Sequence, residues 1–256
     1  MNILFVGDVV GQDACLALKS FLPSFKRETA ADITIINGEN SADGNGITPY
    51  SADLLFEAGA DVITTGNHCF KRQEMDNVFN TNPFILRPAN YGENPPGKGF
   101  CIIDRGRYSV AVTNITGTTY MTPADNPFNC IDEILNKIKT ENIIVDFHAE
   151  ATAEKKAMGF YLAGRVSAAA GTHTHVQTAD EQIISDHTGY ITDVGMTGVR
   201  ASVLGIEKDV IIERLQNYYP KKHALAKGEY FINAILLEID EKSGKCLSVS
   251  RINRAM

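Results

Sequence analysis

Short apolar runs rich in β-branched residues alternate along the chain with longer segments of helical periodicity. Runs such as NILFVG, DITIIN and DVITTG have the length and composition of buried strands. The segments between them, at 12–28 and 49–58, repeat their apolar residues every three or four positions, as helices do. Strands that are separated by helices usually pair in parallel. The pattern therefore predicts an α/β fold.

The middle of the chain adds strands that pair in the opposite sense. Two strand patterns, at 99–104 and 109–115, are joined by the turn-like RGR, which favours an antiparallel pair. Further strands are predicted at 142–147 and 231–239, and further helices near 127–139, 152–162 and 208–218. No repeat or linker interrupts this order. We expect one domain, residues 1–256, with a mixed sheet or a two-sheet sandwich flanked by helices.

Composition narrows the class of protein. Apolar residues make up 44% of the chain and charged residues 21%, which is usual for a folded soluble protein. No run approaches the ~18 apolar residues of a membrane span. The apolar N-terminal run has no basic segment before it and ends at Asp8, so it is interpreted as a strand and not as a secretion signal. We expect no membrane association.

The cysteines and the net charge bear on location and partners. The five cysteines are scattered without a CxxC pair, which fits a reducing cytoplasm, and this is the location we expect. The net charge of −7 argues against duplex nucleic acid as a partner, because binding to it depends on clustered Lys and Arg. A nucleic-acid substrate should therefore be small.

Metal-capable side chains collect at the C-terminal ends of predicted strands, where open α/β sheets assemble ligand sites. The segments that carry them read GDVVG, NGEN, GNHC, DFHAE and GTHTH. Their polar side chains are Asp8, Glu39, Asn40, Asn67, His68, His148, His173 and His175. Each segment alone has an ordinary explanation as a helix cap, a turn or a structural histidine. Coincidence explains the whole set poorly, because four of the six histidines fall at the same kind of position.

The chemistry of this set fits two metal ions better than one. Polar side chains that adjoin core-forming runs, as in VDFH and TTGNH, cost about 1–3 kcal/mol each when unpaired, and one cation satisfies several of them. The candidates also outnumber the ligands of a structural zinc. Two cations about 3.5–4 Å apart can clamp a phosphoryl group and activate water, so phosphoester hydrolysis is the natural reaction. Iron or manganese is favoured for mixed nitrogen and oxygen ligands, and zinc is an alternative.

The same residues resemble the signature of the calcineurin-like metallophosphoesterases, which runs as an early GD, a second acidic segment, GNH, an isolated histidine and a final HxH. The closer resemblance is to the YmdB-like branch, and it is carried by MNILFVGDVVG, INGEN, TTGNH, DFHAE, GTHTHVQTAD and TDVGMTG along essentially the whole chain. It implies a mixed two-sheet α/β sandwich with two divalent or trivalent metal ions. It also implies hydrolysis of a small phosphodiester, in particular a 2′,3′-cyclic nucleotide.

By this resemblance the residues divide between two metal ions that are bridged by Glu39. One ion would be held by Asp8, Asn40 and His175, and the other by Asn67, His148 and His173. His68 would donate a proton to the leaving alkoxide, unless it is a further ligand or a partner of one. The broader superfamily usually has a histidine two residues after the first aspartate, where this chain has Val10, and Asn40 could replace that ligand.

Two other function classes stay open at this point. Similar ligands support metal-dependent hydrolysis at a carbon centre, as in a deacylase. A regulatory protein could also bind a nucleotide at an intact metal site, turn it over slowly and act through a partner. The sequence does not indicate the number of subunits, so a homo-oligomer also stays open.

Overall fold

Two β-sheets pack face to face at the centre of the computed structural model, which describes residues 1–256. The first sheet consists of β1 (Asn2–Val6), β2 (Asp8–Val9), β3 (Ile33–Asn37), β4 (Val62–Thr64), β11 (Met196–Val199), β12 (Tyr230–Ile239) and β13 (Cys246–Ala255). Strands β1, β3 and β4 are parallel, whereas β12 runs antiparallel to β1 and β13. The first sheet is therefore mixed.

The second sheet has a parallel centre with antiparallel edges. It consists of β5 (Phe100–Asp104), β6 (Ser109–Thr116), β7 (Ile143–His148), β8 (Ala168–Thr172), β9 (Gln182–Ile184) and β10 (Thr188–Ile191), in the order β5-β6-β7-β8-β10-β9. Strands β6, β7, β8 and β10 are parallel. Strands β5 and β6 form the antiparallel pair that the RGR turn predicts. The mixed two-sheet α/β sandwich expected from the sequence is confirmed.

Six helices lie outside the sheets, and all but the last, which buries no residue, pack against the rest of the fold. They are α1 (Gln12–Glu28), α2 (Pro49–Ala58), α3 (Asp76–Thr81), α4 (Pro127–Leu135), α5 (Thr152–Leu162) and α6 (Lys208–Asn217). Helix α2 begins where its sequence predicts, because the Thr48 hydroxyl accepts a hydrogen bond from the Ser51 amide and Pro49 occupies the first turn. Not one of these helices combines the length and the apolar character needed to cross a bilayer.

Strand β1 explains why the two sheets stack between helices. Its side chains alternate between the two faces of the first sheet. Ile3 and Phe5 belong to the core between the sheets, whereas Leu4 and Val6 pack in the core under α1 and α2. A third core, under α4 and α5, covers the other face of the second sheet. Each such side chain stabilises the fold by about 1.5–3 kcal/mol when it is fully buried.

The two sheets are joined at one edge by hydrogen bonds to Asp146, which lies on β7. Its Oδ2 accepts hydrogen bonds from Asn37 Nδ2 at the end of β3 (3.0 Å) and from Thr64 Oγ1 at the end of β4 (2.5 Å). Its Oδ1 accepts one from Thr172 Oγ1 at the end of β8 (2.6 Å). Four strand ends from two sheets therefore meet at one place, which is where the predicted site residues lie.

Candidate metal centre

Asp8 lies on β2, directly after the first strand turns. Gly7 permits this turn, because a Cβ at that position would lie 2.0 Å from the Gly195 carbonyl oxygen. Asp8 is fully buried, and burial raises the pKa of its carboxyl. Its Oδ2 accepts a hydrogen bond from the His173 amide (3.2 Å), but Oδ1 has no hydrogen-bond partner and lies 3.7 Å from His175 Nε2. An orphaned buried carboxylate oxygen is costly unless a cation satisfies it.

Glu39 lies at the centre of the cluster. Its Oε1 is 3.2 Å from His148 Nε2 and 3.3 Å from His68 Nδ1, and its Oε2 accepts a hydrogen bond from the His68 amide (3.0 Å). Burial alone would raise the pKa of this carboxyl, but His148 and His68 hold it well below its ordinary value. Gly66 permits the approach, since a Cβ there would lie 2.2 Å from the His148 ring and 2.4 Å from Glu39 Oε2. The glycine of GNH is therefore a packing requirement of the site.

One ring nitrogen of His148 is held by a hydrogen bond outside the cluster, and the other is directed into the cluster. The Thr172 hydroxyl donates its hydrogen to Asp146, so it can only accept the hydrogen bond from His148 Nδ1 (2.9 Å). Nδ1 therefore carries a proton, and Nε2 is the nitrogen that would present its lone pair to a cation. Nε2 faces Asn67 Oδ1 at 3.1 Å and His173 Nδ1 at 3.0 Å.

The two histidines of the HTH segment are fixed in the same way. Glu150 Oε2 lies 3.1 Å from His173 Nε2 and can accept its proton, which leaves Nδ1 for the cluster. The Leu204 carbonyl lies 3.3 Å from His175 Nδ1, which leaves Nε2 beside Asn40 Nδ2 (3.3 Å). An outer partner that fixes the tautomer and orientation of an inward-facing imidazole is typical of metal-binding histidines.

A buried ion pair supports this segment. Lys155 Nζ and Asp193 Oδ2 are 2.6 Å apart, and their side chains are 1% and 0% exposed. The same Oδ2 accepts hydrogen bonds from the amide (3.0 Å) and the hydroxyl (2.7 Å) of Thr174. Thr174 separates His173, with φ +103°, from His175, with φ +64°. Residues other than glycine rarely adopt such conformations, so Asp193 stabilises a strained backbone.

The pKa values of two neighbouring histidines move in opposite directions. Burial and the neighbouring His148 lower the pKa of His173 to about 3. Burial also opposes a charge on His148, but Glu39, Asp8 and Asp146 outweigh it and raise the pKa of His148 to about 9. Without a metal ion, His148 therefore holds the proton between the carboxylates and His173 stays neutral. A divalent cation in the same place would satisfy both nitrogens.

His68 and Asn40 lie on the solvent side of the cluster. The His68 side chain is 22% exposed, and its Nδ1 is 2.8 Å from Asn40 Oδ1. The amide nitrogen of Asn40 is directed toward Glu39 Oε1 (3.0 Å) and His175. To act as a ligand beside His175, Asn40 needs a half-turn of its amide, which exchanges the oxygen and the nitrogen.

All the residues that the sequence nominates lie in this one cluster of contacts, and their roles as ligands or proton donor stay a prediction. The cluster opens into a cavity of about 340 Å³. A larger cavity, of about 800 Å³, lies beside Arg87 and contains none of these residues. Sequence reasoning missed the supporting residues, which are Asp146, Glu150, Lys155, Thr172, Asp193 and Leu204. Asp146 could have been found from the sequence, because residues two apart on a strand share a face and Asp146 precedes His148 by two.

Nearly the whole chain is similar to proteins of one family. Residues 4–252 match the sequence model of the YmdB-like protein family. A Bacillus subtilis (strain 168) protein named 2′,3′-cyclic-nucleotide 2′-phosphodiesterase is 42% identical over 254 residues, which are 98% of this chain and 96% of the relative. A crystal structure of a hypothetical protein from Thermus thermophilus has a TM-score of 0.94 at 36% identity and covers 100% of this chain and 99% of that one. A novel phosphatase from Mycoplasma pneumoniae has a TM-score of 0.93 at 32% identity, with 100% and 93% covered.

Proposed function

Because the chain belongs to the family of YmdB-like proteins and is a phosphodiesterase with a metallophosphoesterase fold, we propose that it hydrolyses 2′,3′-cyclic nucleotides at a centre of two metal ions. The enzyme class is that of the Bacillus relative, and the cyclic substrate is taken from the name of that relative. The contacts of this chain support the metal ions and the roles of individual residues.

The convergence of lone pairs at His148 carries the proposal. Its Nε2 faces Glu39 Oε1, Asn67 Oδ1 and His173 Nδ1 at 3.0–3.2 Å. When His173 Nε2–H donates its hydrogen bond to Glu150, none of these three atoms carries a hydrogen. Acceptors that face each other at this distance repel unless a proton or a metal ion lies among them, and a metal ion satisfies all four atoms where a single proton cannot. Ligand atoms of Glu39, His148 and His173 all lie within 4.8 Å of one another, which fits a shared ion.

A second position is supported by Asp8. Its orphaned Oδ1 lies 3.7 Å from the inward nitrogen of His175, on the other side of the cluster. We assign Asp8, Asn40 and His175 to one ion, and Asn67, His148 and His173 to the other. Glu39 lies between the two groups and would bridge them. Carboxylate, amide and imidazole donors of this kind suit iron, manganese or zinc.

A bound pair of such cations supplies Lewis acidity for the phosphoryl oxygens and lowers the pKa of water. The residues of the chain would then fix the geometry of the reaction. Glu39 and the histidines would hold these cations, and His68 lies at the mouth of the cavity with Nδ1 beside the Asn40 amide group. Water adds to phosphorus, the bond from phosphorus to the 2′ oxygen breaks, and His68 donates the proton that this oxygen takes up. The product is a 3′-phosphate.

Metal analysis combined with a substrate panel tests this proposal. The purified protein would be analysed for iron, manganese and zinc, and then assayed with 2′,3′-cyclic and 3′,5′-cyclic nucleotides and with a carboxylic ester. We expect about two metal ions per chain, hydrolysis of the 2′,3′-cyclic substrate to the 3′-phosphate, and loss of activity with a chelator that added manganese restores. Cleavage of the ester alone would favour a carbon-centred hydrolase. Tight nucleotide binding without turnover would favour a regulatory protein.

A further inference from the structure

A strained turn closes one side of the cavity. Val203 and Ile206 exchange both backbone hydrogen bonds (2.9 and 3.0 Å), so Leu204 and Gly205 are the central residues of a two-residue hairpin turn. Their φ angles of +54° and +91° are those of a type I′ turn. Asparagine, aspartate and glycine favour the first of these positions, whereas leucine is disfavoured there because its Cβ crowds the backbone.

The surrounding structure holds the turn in place. A Cβ on Gly205 would lie 2.4 Å from Val10 Cγ1, so the backbone packs directly on the segment that follows Asp8. The Gly205 carbonyl accepts a hydrogen bond from the Ala226 amide (2.9 Å), and Ile206 pairs with Leu225. Strained residues that are held this firmly tend to occur at functional sites.

The turn contacts the metal centre through its backbone and the cavity through its side chain. The Leu204 carbonyl fixes His175 Nδ1 at 3.3 Å, while the Leu204 side chain is 47% exposed and lines the cavity. Val10, Ile206 and Leu225 line the same side, so this wall is apolar. The polar wall of the cavity includes Glu39, Asn40, His68, Glu150 and His173. With the proposed cations bound to its carboxylates, this cavity suits a ligand with an anionic end and an apolar end.

From this arrangement we propose that Leu204 is a specificity-determining residue that packs against the nucleobase of the substrate. The phosphoryl group lies against the polar wall, and the base lies against Leu204, Ile206 and Leu225. The backbone role of residue 204 does not need a leucine, since an asparagine would relieve the strain and keep the carbonyl beside His175. What the leucine adds is an exposed apolar surface at the mouth of the cavity. The inference rests on the proposed function, because it takes the substrate to be a nucleotide.

The test is Leu204→Asn, measured with two substrates that differ only in the base. We expect KM for adenosine 2′,3′-cyclic phosphate to rise by about tenfold, from the apolar contact that is lost. KM for the 2′,3′-cyclic phosphate of methyl riboside, which has no base, should change by less than about twofold, since the turn and its carbonyl are retained. Equilibrium binding of adenosine 3′-phosphate should weaken in parallel with the first KM, and binding of inorganic phosphate should not.

The matched control is Tyr218→Asn. Tyr218 has φ +51° and is 93% exposed, so asparagine relieves the same kind of strain there, but Tyr218 does not line the cavity. Neither variant should melt at a lower temperature than the parent protein, and Tyr218→Asn should leave both KM values unchanged. Equal increases in KM for the two substrates in Leu204→Asn would show that residue 204 acts through His175, and no increase for either would exclude contact with the base.

The binding experiment keeps this inference separate from the proposed function. If the parent protein hydrolyses neither cyclic phosphate, the proposed function fails, but adenosine 3′-phosphate still reports on the base contact. Tighter binding of adenosine 3′-phosphate than of inorganic phosphate, lost in Leu204→Asn, would support the apolar wall by itself. Equal binding of the two ligands by the parent protein would overturn it.

Discussion

Replacing Lys155 with methionine should destabilise the protein strongly, although Lys155 contacts no nominated metal ligand directly. The Lys155 ammonium and the Asp193 carboxylate are 2.6 Å apart and fully buried, so Lys155→Met leaves a carboxylate without a counter-charge inside the fold. Removing one partner of such a pair costs about 3–5 kcal/mol. In a chain of this size each kcal/mol lowers Tm by about 2–4 °C, so we expect a decrease of roughly 6–20 °C.

The neighbouring residue provides a matched control. Lys156 also pairs with an aspartate, Asp180, at 2.6 Å, but its side chain is 39% exposed. Pairs that water can reach contribute only about 0–1 kcal/mol, so Lys156→Met should lower Tm by no more than about 4 °C. The two variants remove the same charge from adjacent positions at the same distance, so the difference between them isolates the effect of burial.

A second measurement tests whether the buried pair also serves the site. Asp193 holds Thr174 between two strained histidines, so the loss of its counter-charge should loosen the HTH segment and weaken Mn²⁺ binding, by about 10–100-fold if the effect matches that of other outer partners of metal ligands. Thermal melting and calorimetric titration with Mn²⁺, at a temperature where both variants are folded, would measure the two effects. If Lys155→Met melts within about 2 °C of Lys156→Met, or binds Mn²⁺ like the parent protein, the reasoning about Asp193 is wrong.

Three further predictions follow from the site. Glu39→Gln should reduce turnover to background, because it removes the charge that the two ions would share, and near-normal turnover in that variant would contradict the bridging role. His68→Ala should keep its metal content while losing about 10²–10⁴-fold in rate, and a protein purified without metal would instead make His68 a ligand. Removing the metal with a chelator should lower Tm, since a ligand at a thousand times its Kd stabilises the native state by about 4 kcal/mol, and added Mn²⁺ should restore it.

The elements that could be predicted from the sequence are those whose local hydrophobic periodicity and capping residues determine their structure. Helices at 12–28 and 49–58 match α1 and α2, because their apolar periodicity and the Thr48 cap are local signals. Strand β8, which reads AAAGT, was not predicted, since alanine and glycine have little strand propensity and its burial comes from its neighbours. Helix α4 ends at Leu135, earlier than the predicted range of 127–139.

The candidate site was predicted further than the fold around it. Side chains that follow the C-terminal ends of parallel strands meet at one edge, so the positions of most ligand candidates could be inferred from their predicted strands. The exceptions are His173 and His175, which follow the unpredicted β8 and were nominated from the HTH motif itself. The Leu204 turn could not be found in this way. It reaches the site because Gly205 and Ile206 pair with Ala226 and Leu225, some twenty positions later in the chain, and no local pattern encodes that pairing.

Backbone strain at this site indicates that the fold positions the histidines before a cation binds. Besides Asn45, three residues other than glycine with positive φ, His173, His175 and Leu204, meet around one cavity. Each such conformation costs about 1–2 kcal/mol. A different contact stabilises each one: the Asp193 carboxylate beside His173, the Leu204 carbonyl at His175, and the packing of Gly205 on Val10 next to Leu204. Because folding has already met this cost, the imidazoles need little reorganisation when a cation arrives. A variant that relaxes one of these contacts without leaving a buried charge unpaired should therefore weaken metal or substrate binding more than it weakens the fold.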